Sequence, residues 1–192
     1  MKLKYIYLLI ISIYIHTCLY SQFYEYGQDP ASIRWKQINT GNFKLIFPED
    51  YKSNAVKVSF LLEESYRKNA SQLNYSPRKI PVVIHNQTAI SNGFVGIAPR
   101  RMELFTYPDP RGFPGEWLEH LSIHEQRHVT QVDKLNQGFT RFLSYLLGEQ
   151  GQGFGAALLP FWLLEGDAVF AETSLSNTGR GRLPSFEKEL KA

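Results

Sequence analysis

Apolar residues are patterned differently in the two halves of the chain. In the first half they come as short runs bounded by turn residues. Residues 33–38 and 43–47 flank Thr40-Gly41-Asn42 and predict a hairpin. The β-branched run Ile80-Pro81-Val82-Val83-Ile84-His85 predicts a buried strand. Residues 93–98 and 101–107, on either side of Pro99-Arg100, predict a second hairpin. Between these runs, residues 51–73 carry Val56, Phe60, Leu61 and Tyr66 at helical spacing. The second half has the longer period. Trp117, Leu121, His124, His128, Val132 and Leu135 recur at steps of three and four and predict a helix over 116–137, stopped by Gly138. Residues 139–147 predict a short helix, and 148–155, with four glycines, a flexible loop. Pro160 is placed to open a last helix over 161–173. Strands first and helices later make the expected fold class α+β. The order is a mixed N-terminal sheet with one helix, then an active-site helix and a helical C-terminal part.

The N-terminus reads as an address. Lys2 and Lys4 precede an apolar run from Tyr5 to Tyr20, and Ser21-Gln22 return the chain to polar character. This is the layout of a secretory signal peptide cleaved after Ser21, which places the protein in the periplasm, the cell envelope or outside the cell. An uncleaved anchor is the alternative; lipidation at Cys18 fits less well, because Ile15-His16-Thr17 lacks small residues. Residues 22–192 then form one domain, with no repeat or low-complexity linker to divide it.

Composition changes the picture once that segment is set aside. The full chain has 192 residues and a formal charge of +3, which falls to +1 without Lys2 and Lys4. A charge so near zero argues against nucleic acid as a partner. Cys18, the single cysteine, leaves with the same segment. Disulfides, thiolate metal sites and a cysteine nucleophile are then excluded, and any metal must be held by His, Asp or Glu.

One such set stands out. Residues 124–128 read His-Glu-Gln-Arg-His within the predicted helix. Four residues turn a helix by about 400° and advance it by about 6 Å, so both imidazoles share a face and converge on one ion at roughly 2.0–2.1 Å. Glu125 is misaligned for ligation but near enough to act as general base toward a zinc-bound water. Arg127 puts a charge inside the motif and calls for a carboxylate partner. His120 lies about 12 Å from His128 along the axis, too far to share an ion, and is read with His85 as structural. The third ligand should be a carboxylate. Trp162-Leu163-Leu164-Glu165-Gly166-Asp167 offers Glu165, pointing inward from an apolar helix, with Gly166 permitting close approach. The alternative for Glu165 is a buried salt bridge, for example with Arg127. Glu172, seven residues on and on the same face, suits a histidine N–H or Arg127. Asp167 points elsewhere, to the surface.

H-E-x-x-H followed by W-L-x-E-G-x-A-x-x-x-E resembles the gluzincin metallopeptidases, with their aminopeptidase-N-like and peptidase MA-like groups. The stretches 90–94, 101–105 and Gly179-Arg180-Gly181-Arg182 are further similar to the N-terminal domain of secreted bacterial envelope proteins that often continue into a TolB-like β-propeller. The resemblance implies a zincin-like fold and a Zn2+ ion held by His124, His128 and Glu165. It also implies Glu125 as base, a peptide or protein substrate, and an edge strand over 101–106 that pairs with it. A non-catalytic zincin-fold binding module is the competing class. Thirty-six residues separate His128 from Glu165, more than in the aminopeptidase arrangement. The extra length, 139–160, reads as a lid, a specificity element, a loop touching a membrane, or an added helix packed on the domain.

Overall fold

The computed structural model describes residues 29–110 and 115–186, together with Tyr7 and Lys188. The signal-peptide reading and Cys18 fall outside these residues. Five strands are described: β1 (Trp35–Asn39), β2 (Phe43–Pro48), β3 (Ile80–His85), β4 (Gly93–Ile97) and β5 (Arg100–Phe105). They form one mixed sheet in the order β1-β2-β3-β5-β4. The two hairpins are antiparallel, while β2/β3 and β3/β5 are parallel. Five α-helices accompany it: α1 (Lys52–Leu73), α2 (Trp117–Leu135), α3 (Gly138–Leu147), α4 (Glu149–Ala157) and α5 (Phe161–Leu175). The fold is α+β, as its pattern of runs predicts.

Alternation along the strands builds the core. Phe43, Leu45 and Phe47 of β2, Ile80, Val82 and Ile84 of β3, and Met102 and Leu104 of β5 are all buried on one face. They meet Ala55, Val58 and Leu62 of α1 and Leu121 and Val129 of α2. α1 is the crossover between parallel β2 and β3, and it lies alongside α2.

The strand order corrects one expectation. Residues 101–106 are not an edge: β5 lies between β3 and β4, and β4 is the outer strand. Hairpin pairing brings β4 back on the outer side of β5, an outcome of non-local strand order.

Helix faces supply further corrections. Val56 and Phe60 do not face the core; Phe60 is 71% exposed. The buried stripe of α1 is Ala55, Val58, Ser59, Leu62, Ser65 and Asn69. Small and polar residues sit there because α1 packs closely on α2, where Asn69 Nδ2 donates to the Ile123 carbonyl at 3.3 Å. Gly138 does not stop α2, which ends at Leu135; with φ of 54° it opens α3 instead. Residues 148–155 are not a flexible loop but most of α4. A Cβ on Gly151 would stand 2.6 Å from the Leu143 backbone, and one on Gly155 3.0 Å from Thr140 Cγ2. Those glycines, four apart, form the smooth stripe on which α3 rests.

The 139–160 segment is therefore a pair of helices. α4 packs on α2 and β4, whereas α3 buries none of its residues and leaves Phe139, Phe142, Tyr145, Leu146 and Leu147 exposed. α5 is apolar without being buried: Trp162 is 72% exposed, and only Ala168, Ala171 and Glu172 are enclosed. Among the described residues no single helix is long and apolar enough to cross a membrane.

Candidate metal centre

α2 is buried over the whole stretch from His120 to Arg127, with α1, the sheet and α5 around it. Burial of a helix on all sides forces its polar groups to find partners inside the protein. His124 and His128, one turn apart, bring their Nε2 atoms to 3.1 Å. Glu165, on the first turns of α5, reaches both: Oε2 lies 3.4 Å from His124 Nε2 and Oε1 3.3 Å from His128 Nε2. The three offer one ligand atom each within 4.8 Å of one another.

These separations can be tested against an ion. Two ligand atoms at about 2.0–2.1 Å from a tetrahedral centre stand about 3.3 Å apart. The 3.1 Å between the two Nε2 atoms is close to that edge length, and each Nε2 has a different Glu165 oxygen at 3.3–3.4 Å, so the three side chains could hold a metal ion between them. Glu165 is not deeply buried as the sequence suggested. Its side chain is 36% exposed and borders the cleft, because α5 meets α2 with only part of its surface. Gly166 makes no close approach, since a Cβ there would meet nothing within 4 Å.

The outer nitrogens are held as well. His124 Nδ1 bonds Glu172 Oε1 at 2.5 Å, and His128 Nδ1 donates to Gln131 Oε1 at 2.9 Å. Both bonds turn an Nε2 toward the cluster and set the tautomer a metal ligand needs. Gln131 is oriented in turn by Leu164 O at 3.1 Å and Asp167 Oδ2 at 2.6 Å. Arg127 clamps Asp167 through two 2.7 Å bonds and reaches Gln72 Oε1 at 2.8 Å. Asp167 is thus the partner of Arg127 and not a surface group. Arg127 bonds neither Glu165 nor Glu172. Its chain runs through Asp167 and Gln131 to His128.

Electrostatics separate the carboxylates by role. Glu125 is 3% exposed and its Oε2 has no hydrogen-bond partner. Burial raises its pKa, partly offset by the His124 and His128 charges. It packs on the edge strand, where a Cβ on Gly93 would stand 2.8 Å from its Oε1. Glu165 moves the other way, held well below the usual carboxylate range by its bonds to His124 and His128. Burial alone would raise Glu172, but its bonds to His124 and Arg180 bring it down to about 2. Burial would likewise lower His124; its bonds to Glu165 and Glu172 prevail and lift it to about 9.

The other histidines stay out of the cluster. His120 is buried, which lowers its pKa to about 4, and its Nδ1 lies 3.4 Å from Glu172 Oε2. His85 is held by Asp29 at 2.6 Å and Glu103 at 3.0 Å and stacks on Phe105. A cleft of about 880 Å³ runs between β4, α2, α4 and α5, with His124, Glu125, His128 and Glu165 in its wall. Gln131, Asp167 and Arg180 are the site residues that motif reading missed. Gln131 could have been found as the residue three beyond His128, on the same face.

The chain matches no protein-family model, no curated protein and no solved structure.

Proposed function

We propose that this chain is a zinc-dependent peptidase domain of zincin-like fold that cleaves peptide or protein substrates in the cell envelope or outside the cell. The observation that carries the reading is the pairing of the convergent His124–His128–Glu165 donor set with Glu125, a buried carboxylate of raised pKa and no hydrogen-bond partner at Oε2. Glu125 is not a ligand, so binding a metal gives no reason for a carboxylate at that position, whereas proton transfer does. The basic head and apolar run of residues 1–21 support export.

Zinc, when bound there, supplies Lewis-acid polarisation of the scissile carbonyl and acidifies water. The remaining work falls to the chain. His124, His128 and Glu165 hold the ion, and Glu172 and Gln131 fix the histidine tautomers. Glu125 accepts the proton of the attacking water and passes it to the leaving nitrogen. Among the described residues β4 pairs with β5 alone, so it is the strand to which an extended peptide backbone could add. Backbone pairing accepts any sequence, and selectivity then rests on the side chains of the cleft.

Zinc content by elemental analysis, measured with hydrolysis of a broad peptide library by wild type and Glu125→Gln, tests the proposal. Stoichiometric zinc in both and cleavage only by wild type is expected. Absence of zinc, or zinc without cleavage of any peptide, overturns it; the second result points to the non-catalytic module.

A further inference from the structure

Gly179-Arg180-Gly181-Arg182 lies outside both metal motifs, and its packing is unusually constrained. A Cβ on Gly179 would stand 2.4 Å from Thr173 Cα, and one on Gly181 2.7 Å from Thr173 Oγ1. Only glycine lets this segment lie flat on α5. Gly181 N–H donates to Thr173 Oγ1 at 3.1 Å, and Arg182 Nη2 donates to the Thr173 and Ser176 carbonyls at 2.9 and 3.3 Å. So anchored, the short turn Arg180–Arg182 sends the Arg180 side chain back along α5 to the cleft.

The guanidinium there is half committed. Nε donates to Glu172 Oε2 at 3.0 Å and Oε1 at 3.2 Å, and Nη2 donates to Oε1 at 2.5 Å. Glu172 is 0% exposed and also accepts from His124 Nδ1, so it is an immovable anchor. Nη1 has no hydrogen-bond partner among the described residues, and the side chain is 41% exposed on the cleft wall. The ion pair with Glu172 explains Nε and Nη2, the latter also 3.0 Å from His124 Nδ1, and leaves Nη1 unexplained. A guanidinium fixed on one edge and open on the other is preorganised for an oxygen anion.

We infer that Arg180 is the anion-binding residue of the cleft, its Nη1 edge receiving a negatively charged oxygen of the bound peptide. The inference rests on the peptidase reading for the identity of the ligand. Two oxygens have the required chemistry: a C-terminal carboxylate, and the oxyanion that develops at the scissile carbonyl.

Two binding measurements separate them, and neither needs turnover. Metal-free protein is titrated calorimetrically with an N-acetylated dipeptide acid and with its amide. Zinc-loaded protein is titrated with an end-blocked phosphonamidate peptide and with the matching peptide amide. If the terminal carboxylate is the ligand, wild type prefers the acid by about 10- to 100-fold, and Arg180→Met abolishes the preference. If the oxyanion is the ligand, Arg180→Met weakens the phosphonamidate by a similar factor and leaves the amides unchanged. Should Arg180→Met fail to fold, Arg180→Met/Glu172→Gln removes both charges together and carries both comparisons, with Glu172→Gln alone as its reference. Arg180 substitution that changes neither preference, in folded protein, overturns the inference. Failure of the peptidase reading shows up separately, as wild type that cleaves no peptide or holds no zinc.

Discussion

Two buried histidine clusters surround their imidazoles with carboxylates, and only one has the geometry of a ligand site. At His85 the carboxylates stand alone on either side of the ring, Asp29 on Nδ1 and Glu103 on Nε2, with Arg101 bonded to Glu103 beyond. At His124 a carboxylate again holds Nδ1, but Nε2 faces His128 Nε2 and Glu165 at 3.1 and 3.4 Å. Each nitrogen of His85 has one acidic partner, and the ring is stabilised as a cation. Donor atoms of three residues converge at His124, an arrangement that could hold a metal ion. Burial and acidic neighbours are common to both clusters. Convergence of donors distinguishes them.

The comparison breaks most sharply under deletion of the ring. On the proposed function, His128→Ala should bind no zinc and cleave no peptide, while His85→Ala holds stoichiometric zinc; elemental analysis of both decides it. Next comes Glu125→Gln, expected to retain zinc and to lower kcat/KM by about 10²- to 10⁴-fold. His85→Ala should instead cost stability, about 3 kcal/mol, because Asp29 and part of Glu103 are left buried without their partner. Urea denaturation of zinc-free protein measures this, and a loss under 1 kcal/mol would remove the structural role assigned to His85. Glu172→Gln should weaken zinc about 10- to 100-fold by freeing the His124 ring, read by competition with a chelator.

The smallest effect concerns pH. Burial lowers the His85 pKa, but its bonds to Glu103 and Asp29 prevail and raise it above the ordinary 6.5. A raised folded-state pKa means that the stability this ring contributes is complete below pH 6.5 and is lost as pH rises through the folded value. The difference in unfolding free energy between wild type and His85→Gln should therefore shrink on going from pH 6 to pH 9. A difference that stays constant over that range contradicts the charged-ring account.

Much of this was legible in residues close together in sequence. The runs at 43–47 and 80–85 mark β2 and β3 because pleat alternation is a local property. The His124–His128 pair is legible for the same reason: an i,i+4 spacing on a helix puts two rings on one face whatever surrounds it. Longer-range features were misread when type was used in place of packing. Val56 and Phe60 are apolar yet exposed, since the neighbour α2 selects small residues on α1. The glycines of 148–155 suggested a loop, and their lack of side chains in fact lets α3 and α4 touch.

By itself, then, the sequence determined the order of strands and helices apart from α4, the absence of thiolate ligands between residues 22 and 192, and the facing imidazoles of α2. Tertiary structure decided that β4, not β5, is the outer strand of its hairpin, and which carboxylate serves which cation. Asp167 rather than Glu165 pairs with Arg127, and Glu172 gathers His124 and Arg180 although 48 residues separate it from one and eight from the other. Such choices depend on how α5 is laid across α2. Contacts between distant segments set that placement, and no local spacing encodes it.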